Sequence, residues 1–250
     1  MHAPLFVALI RLADDHLILG HRLSEWCGHA PMLEEDLAMP NIALDLIGQA
    51  RALYSYAGDI EVAGRDEDVL AFGRLERDYQ NLLICELPNG DFAQTMLRQF
   101  YFASFMLLFW AEAAGSSNAA VSAIAAKAVK EAKYHRRHCG EWVIRLGDGT
   151  EESTRRMQEA CSVLEPYLGE FFAVDDVALE MSKASILPDP QSLCGAWLAD
   201  VCEVFEVAKL QAPDLTHAHQ GGREGRHTEA MGHLLAQLQY MQRSFPNMTW

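Results

Sequence analysis

The segment RQFYFASFMLLFWAE, residues 98–112, is the most apolar stretch of the chain. Its only charged residues, Arg98 and Glu112, stand at its two ends, and apolar side chains surround a helix drawn through it. A helix that is apolar on every side is buried in protein or in lipid. Because a bilayer requires about 20 apolar residues, this segment is too short to span a membrane. We therefore predict a buried core helix.

The rest of the chain repeats its apolar residues with the 3.6-residue period of helices, and no stretch shows sustained alternation. Turn signals and caps divide this pattern into about eight predicted helices. The first five cover residues 4–28, 37–58 (with a start anywhere from 37 to 40), 66–87, 91–114 and 119–146. A sixth begins at 150 and is disturbed at Pro166, a seventh covers 189–211, and the last ends near 243. The segment 174–188 is the least periodic and is not assigned. Without repeats or linkers, the pattern predicts an all-α bundle with additional flanking helices, folded as a single domain over residues 1–250.

The charge of the chain limits its partners. Twenty Lys and Arg residues against 35 Asp and Glu residues give a formal charge of −15. This excess disfavours nucleic acid and anionic membranes as main partners. The N-terminal stretch lacks a basic region, and its apolar run is interrupted by Arg11 and Asp14, which argues against a signal peptide. The six cysteines form no C-x-x-C pair. We predict a cytoplasmic protein.

The predicted inner faces carry few groups that bind metals. A buried carboxylate site requires charged groups on the apolar stripe, where the metal ion offsets the cost of burying them. The stripe of the second helix contains Leu46 and Gln49, and that of the first contains His16 but no carboxylate. The fourth helix has no carboxylate between Arg98 and Glu112. We therefore expect no di-iron centre in this chain.

The fifth predicted helix is the exception, because Glu131, His135 and His138 share one of its faces. Their i, i+4 and i, i+3 spacings allow the side chains to converge. One interpretation is a metal site or a proton-handling site. The other, which we favour, is a buried polar cluster in which Glu131 pairs with a histidine or an arginine, since three groups on one helix rarely complete a coordination shell.

The same helix carries the densest positive charge in the chain. Its basic residues are Lys127, Lys130, Lys133, Arg136 and Arg137. They form either a solvated face or a surface that binds an anionic ligand or an acidic partner.

Two further polar features also have alternative interpretations. Asp200 falls on an apolar stripe, where we expect a buried ion pair or an interface contact. His217, His219 and His227 crowd a polar loop beside Gly221-Gly222. That loop is either solvated, which we favour, or able to bind a stray metal ion. The chain has no Walker loop, dinucleotide fingerprint, G-x-S-x-G elbow or H-E-x-x-H motif.

Several motifs spread over nearly the whole chain match one family. They are LSEWCGHAP (23–31), NIALDLIGQAR (41–51), EAKYH (131–135), RLGDGT (145–150), GGR (221–223), HTE (227–229) and YMQR (240–243). On these motifs the chain resembles the PaaC family, the C subunits of bacterial phenylacetyl-CoA epoxidases.

The resemblance implies a ferritin-like fold and a role in a multicomponent monooxygenase of aerobic phenylacetate degradation. In that family the A subunit holds the di-iron centre and epoxidises phenylacetyl-CoA with O₂, and a separate reductase uses NADPH. The C subunit is the structural partner of A and of the other components, so we expect no catalytic residue and no cofactor in this chain. From the basic residues themselves we further hypothesise that some of them line the subunit boundary, where they contact either the phosphates of phenylacetyl-CoA or acidic residues of the A subunit.

The expectation that this chain holds no di-iron centre can be compared with its own residues. Active members of the superfamily supply Glu-x-x-His from each of two helices and a carboxylate from each of two others. The aligned pairs in this sequence are Leu46 with Gln49 and Ala132 with His135. Two alternatives stay open at this point: an enzyme with one iron held by Glu131, His135 and His138, and a free-standing ferritin-like scaffold.

Overall fold

The computed structural model describes residues 3–216, 219–245 and 248, and this part of the chain contains helices and no strand. The α-helices are α1 Pro4–Ser24, α2 Leu33–Ile60, α3 Glu67–Phe72, α4 Leu83–Glu86, α5 Phe92–Ala113, α6 Ala119–Gly147, α7 Glu151–Leu164, α8 Asp176–Lys183, α9 Cys194–Ala208, α10 Glu229–Leu238 and α11 Tyr240–Ser244. Short 3-10 helices cover Glu76–Asp78, Glu165–Phe172, Pro190–Leu193 and Gly222–Glu224. The predicted fold class is confirmed: the chain is all-α and ferritin-like, with flanking helices added to the long ones.

The chain divides into two compact units. The terminal unit consists of residues 1–29, 34–88 and 220–250, and the central unit consists of residues 30–33 and 89–219. The single domain expected over 1–250 stays a prediction.

The core of the central unit is built on α5, which packs most extensively on α6 and also contacts α7 and α9. Phe100, Tyr101 and Trp110 of α5 are fully buried, as the apolar segment 98–112 predicts. Gly140 of α6 permits the close approach, because a Cβ there would lie 3.2 Å from Cε2 of Phe100. Trp197 Nε1 donates a hydrogen bond of 3.1 Å to the Tyr101 carbonyl. No helix within the described ranges is long and apolar enough to cross a membrane.

The helix starts of the central unit follow from local capping. The Asp91 carboxylate accepts a hydrogen bond from the Gln94 N–H at 2.9 Å and begins α5. Asn118 caps α6 and Thr150 caps α7 in the same way. Beyond α7, Pro166 lies in the first turn of a 3-10 helix, which explains the predicted disturbance.

The first two predicted helices require corrections at their ends. The first ends at Ser24 rather than residue 28, and the second begins at Leu33 and contains Pro40. The first turn of α2 holds Glu34, Glu35 and Asp36, and negative charge stabilises a helix N-terminus. The Asp36 carboxylate also accepts the Gly28 N–H at 2.7 Å. These contacts extend the helix ahead of its proline.

The continuous helix predicted over 66–87 is wrong. Only α3, a 3-10 turn and α4 form in this range, and the residues between them run irregularly. The reason lies in α1, whose carboxylates take the backbone donors that a helix would use. The Gln80 N–H donates to Asp14 Oδ2 at 2.7 Å, and the Leu82 N–H donates to Asp15 Oδ1 at 2.7 Å.

Asp14 and Asp15 are buried, so the expectation of no carboxylate on the buried face of the first helix is also wrong. Asp14 accepts hydrogen bonds from both terminal nitrogens of Arg74 and from the Tyr54 hydroxyl. Asp15 Oδ2 lies 2.8 Å from Nη2 of Arg223. Both charges are paired, as buried charges must be.

Replacing Asp14 with Ala would leave the Arg74 guanidinium buried without its carboxylate. We expect the free energy of unfolding to fall by about 3–5 kcal/mol, measured by urea denaturation and circular dichroism. The matched control is Glu152→Ala, which removes an exposed carboxylate that pairs with Arg155 and Arg156. It should leave the transition almost unchanged. Equal effects of the two substitutions would contradict the account.

Candidate functional site

The four positions that the family resemblance matches to di-iron ligands are buried, but only two of them carry a side chain that could bind a metal ion. Leu46 and Gln49 lie in α2, and Ala132 and His135 lie in α6. Leucine and alanine have no donor atom, so one amide and one imidazole replace two Glu-x-x-His pairs. Two irons require several carboxylates to balance their charge. The residues present do not fit a di-iron centre.

Glu131, His135 and His138 do not form a metal-binding group either. Within residues 3–216, 219–245 and 248, no three His, Cys, Asp or Glu side chains are grouped so that they could hold a metal ion. Glu131 Oε1 pairs with Lys127 Nζ at 3.5 Å. The His138 ring stacks on Tyr134 with centroids 5.8 Å apart, while His135 is buried. The hypothesis of one iron on this trio is therefore not favoured.

The basic residues of α6, in contrast, are brought together in one groove of about 560 Å³. It is lined by Lys130, Lys133, Tyr134, Arg136 and Arg137 of α6, Asp200 and Glu203 of α9, and Leu107 of α5. Lys127 lies outside the groove lining and is exposed. The sequence showed that these cations lie on one helix, whereas the groove that they line is visible only in the structure.

Asp200 forms an ion pair, as one of its two interpretations predicted, but the pair is half-buried and not fully buried. Its carboxylate accepts two hydrogen bonds from Arg136, at 2.6 Å from Nη2 and 3.1 Å from Nε. The Arg136 guanidinium also lies 5.7 Å from the centroid of the Phe100 ring. These contacts fix one cation of the groove in place.

The loop histidines behave differently from one another. His217 lies outside the described residues. The His219 ring contacts the Tyr167 ring at 5.0 Å. His227 is not solvated, which corrects the favoured prediction: its side chain has no exposed surface. Gly225, with a φ of +70°, brings the loop so close to Arg77 that a Cβ at that position would clash with the Arg77 carbonyl.

His227 forms a buried pair with Glu86, a residue that the sequence analysis missed because it predicted a continuous helix there. Its Nδ1 lies 2.7 Å from Glu86 Oε2, and its Nε2 lies 3.0 Å from the Tyr79 carbonyl. Glu86 also accepts the Thr228 N–H at 2.5 Å. Burial alone would lower the pKa of His227, but the hydrogen bond and charge of Glu86 outweigh it and raise the pKa. Because both ring nitrogens face acceptors, the protonated imidazole fits best.

These features define a ferritin-like chain with Leu46, Gln49 and Ala132 at three of the four positions compared with di-iron ligands, and with a basic groove on α6. All of residues 1–250 match the family described as phenylacetic acid catabolic protein. The chain is also similar to the C subunit of the 1,2-phenylacetyl-CoA epoxidase of Escherichia coli strain K12. The two are 44% identical over 241 residues, which cover 96% of this chain and 97% of that protein. The chain therefore belongs to the phenylacetic acid catabolic protein family.

The His227–Glu86 pair predicts a pH-dependent contribution to stability. Since the folded-state pKa of His227 is raised above its unfolded value of about 6.5, the pair stabilises fully below that value and less as pH rises through the folded-state pKa. The loss of unfolding free energy in His227→Gln should therefore be largest at acidic pH and shrink as the pH rises above the folded-state pKa, measured by urea denaturation. His233→Gln, at an exposed histidine of α10, is the control and should show no such trend. A loss in His227→Gln that is constant across this range would contradict the assignment.

Proposed function

We propose that this chain is the non-catalytic structural subunit of a multicomponent di-iron monooxygenase that epoxidises phenylacetyl-CoA in aerobic phenylacetate degradation. The observation that carries the proposal is that Leu46 and Ala132, whose side chains have no metal-binding atom, are buried. These are positions where the family resemblance implies glutamates in a catalytic homologue. The similarity to a protein named as the C subunit of 1,2-phenylacetyl-CoA epoxidase supports the same role.

In this proposal the chemistry belongs to the partners. The catalytic A subunit holds the di-iron centre and activates O₂, and the separate reductase takes electrons from NADPH. This chain stabilises the A subunit and meets the other components of the complex. Among its buried charges, Asp14 pairs with Arg74.

The outer face of α2 supplies a surface for the A subunit. Leu37 and Leu44 are 59% and 65% exposed, and they stand two helical turns apart, so they lie on the same side of the helix. The opposite side of α2 buries Met39, Ile42 and Leu46. Stable interfaces between homologous subunits are large and mostly apolar. Exposed leucines of this kind suit such an interface better than the acidic surface of a −15 chain.

Co-expression with a tagged A subunit tests the proposal. We expect the two chains to co-purify and to stay together in size exclusion at about 0.5 M salt, where charges are screened beyond about 4 Å. Failure to co-purify at low salt would contradict the function, and dissociation at about 0.5 M salt would show that charge holds the interface.

The double variant Leu37→Asp/Leu44→Asp tests the surface. It should abolish co-purification at an unchanged melting temperature, because both side chains are exposed. Val163→Asp/Leu179→Asp is the matched control, since those residues are 47% and 41% exposed on α7 and α8. It should leave the complex intact. Retention of the A subunit by the α2 variant would contradict this surface.

A further inference from the structure

The groove on α6 is positive although the chain is acidic. Four cations, Lys130, Lys133, Arg136 and Arg137, line it beside two carboxylates. Arg136 and Asp200 neutralise each other in their bidentate pair. Among the residues that the structure describes, no ion-pair partner lies within reach of Lys130, Lys133 or Arg137. The groove therefore concentrates unneutralised positive charge, opposed only by Glu203.

An aromatic ring lies among these cations. Tyr134 is 42% exposed, and its ring stacks on His138 at an interplanar angle of 22°. The Arg137 guanidinium lies 5.8 Å from the centroid of the same ring. An aromatic ring that is partly exposed beside cations is suited to stacking against a nucleotide base.

The dimensions also suit a nucleotide. Ligand pockets typically enclose about 300–1,000 Å³, and the groove measures about 560 Å³. Lys130 and Arg137 are two helical turns apart, a rise of about 10 Å. That separation allows phosphates on both sides of a ribose to be bound at once, each by a charge-assisted hydrogen bond.

We propose that this groove binds an adenine nucleotide that carries more than one phosphate group. Lys130, Lys133 and Arg137 bind the phosphates, and Tyr134 stacks on the base. Glu203 accepts hydrogen bonds from ribose hydroxyls or from the adenine amino group. If the proposed function holds, the ligand is the nucleotide end of the CoA ester, and that identification rests on the proposed function.

Isothermal titration calorimetry on the purified full chain tests the groove without the A subunit. The probes are CoA, dephospho-CoA, which lacks the 3′-phosphate, and adenosine 3′,5′-bisphosphate. We expect CoA and the bisphosphate to bind, and dephospho-CoA to bind several-fold more weakly. Lys130→Glu/Lys133→Glu should weaken CoA binding at least tenfold at an unchanged melting temperature.

The matched control is Lys183→Glu/Arg77→Glu, which makes the same charge change at exposed residues outside the groove. It should bind CoA as the wild type does. Absence of CoA binding to the wild type, or equal binding by the groove variant, would overturn the proposal. The proposal would also be overturned if the wild type binds no nucleotide and the groove variant, Lys130→Glu/Lys133→Glu, no longer binds the A subunit. That result would identify an acidic protein surface as the partner of the groove.

The two proposals fail separately. Nucleotide binding is measured on the isolated chain and depends on the groove of the central unit, whereas assembly is tested through α2. If the chain assembles with the A subunit but binds no nucleotide, the proposed function stands and the nucleotide-binding proposal fails. In the assembled enzyme, the groove variant should raise KM for the CoA ester while kcat is retained.

Discussion

The carboxylates of Asp14 and Asp15, buried side by side on α1, are the interaction on which the terminal unit depends. Each has an arginine partner and each accepts one backbone N–H from the segment after α3. Removing one member of such a set leaves an uncompensated buried charge. The carboxylates therefore join α1 to that segment and to the loop that carries Arg223. The buried Glu86–His227 pair makes a second connection, between α4 and the same loop.

The parts of the fold that could be predicted are those encoded by neighbouring residues. Caps at Asp91, Asn118 and Thr150 set helix starts, and an uninterrupted apolar run identified the core helix α5. The irregular path through 73–82 could not be predicted, because its cause is a pair of carboxylates far earlier in the chain. The apolar period over 66–87 is real, but tertiary hydrogen bonds override it.

The candidate site also combines features that neighbouring residues predict with features that depend on distant residues. Spacing alone placed the cations of α6 on one side of the helix, but the groove also needs Asp200 and Glu203 of α9. For Glu131, His135 and His138, spacing left both a metal site and a polar cluster open, and the metal site is not favoured. Glu131 and His138 share a face yet are separated by about 10 Å along the axis. His227 was expected in solvent because glycines and polar residues surround it, and only its partner Glu86 explains its burial.

Under the proposed function, the iron chemistry belongs to the A subunit and not to this chain. The most direct measurement is elemental analysis of this chain expressed alone in iron-supplemented medium, with the A subunit prepared in parallel. The account predicts no stoichiometric iron in this chain, because Leu46, Gln49 and Ala132 occupy positions that the family resemblance matches to di-iron ligands. About two irons per chain, the content of a complete di-iron site, would contradict it.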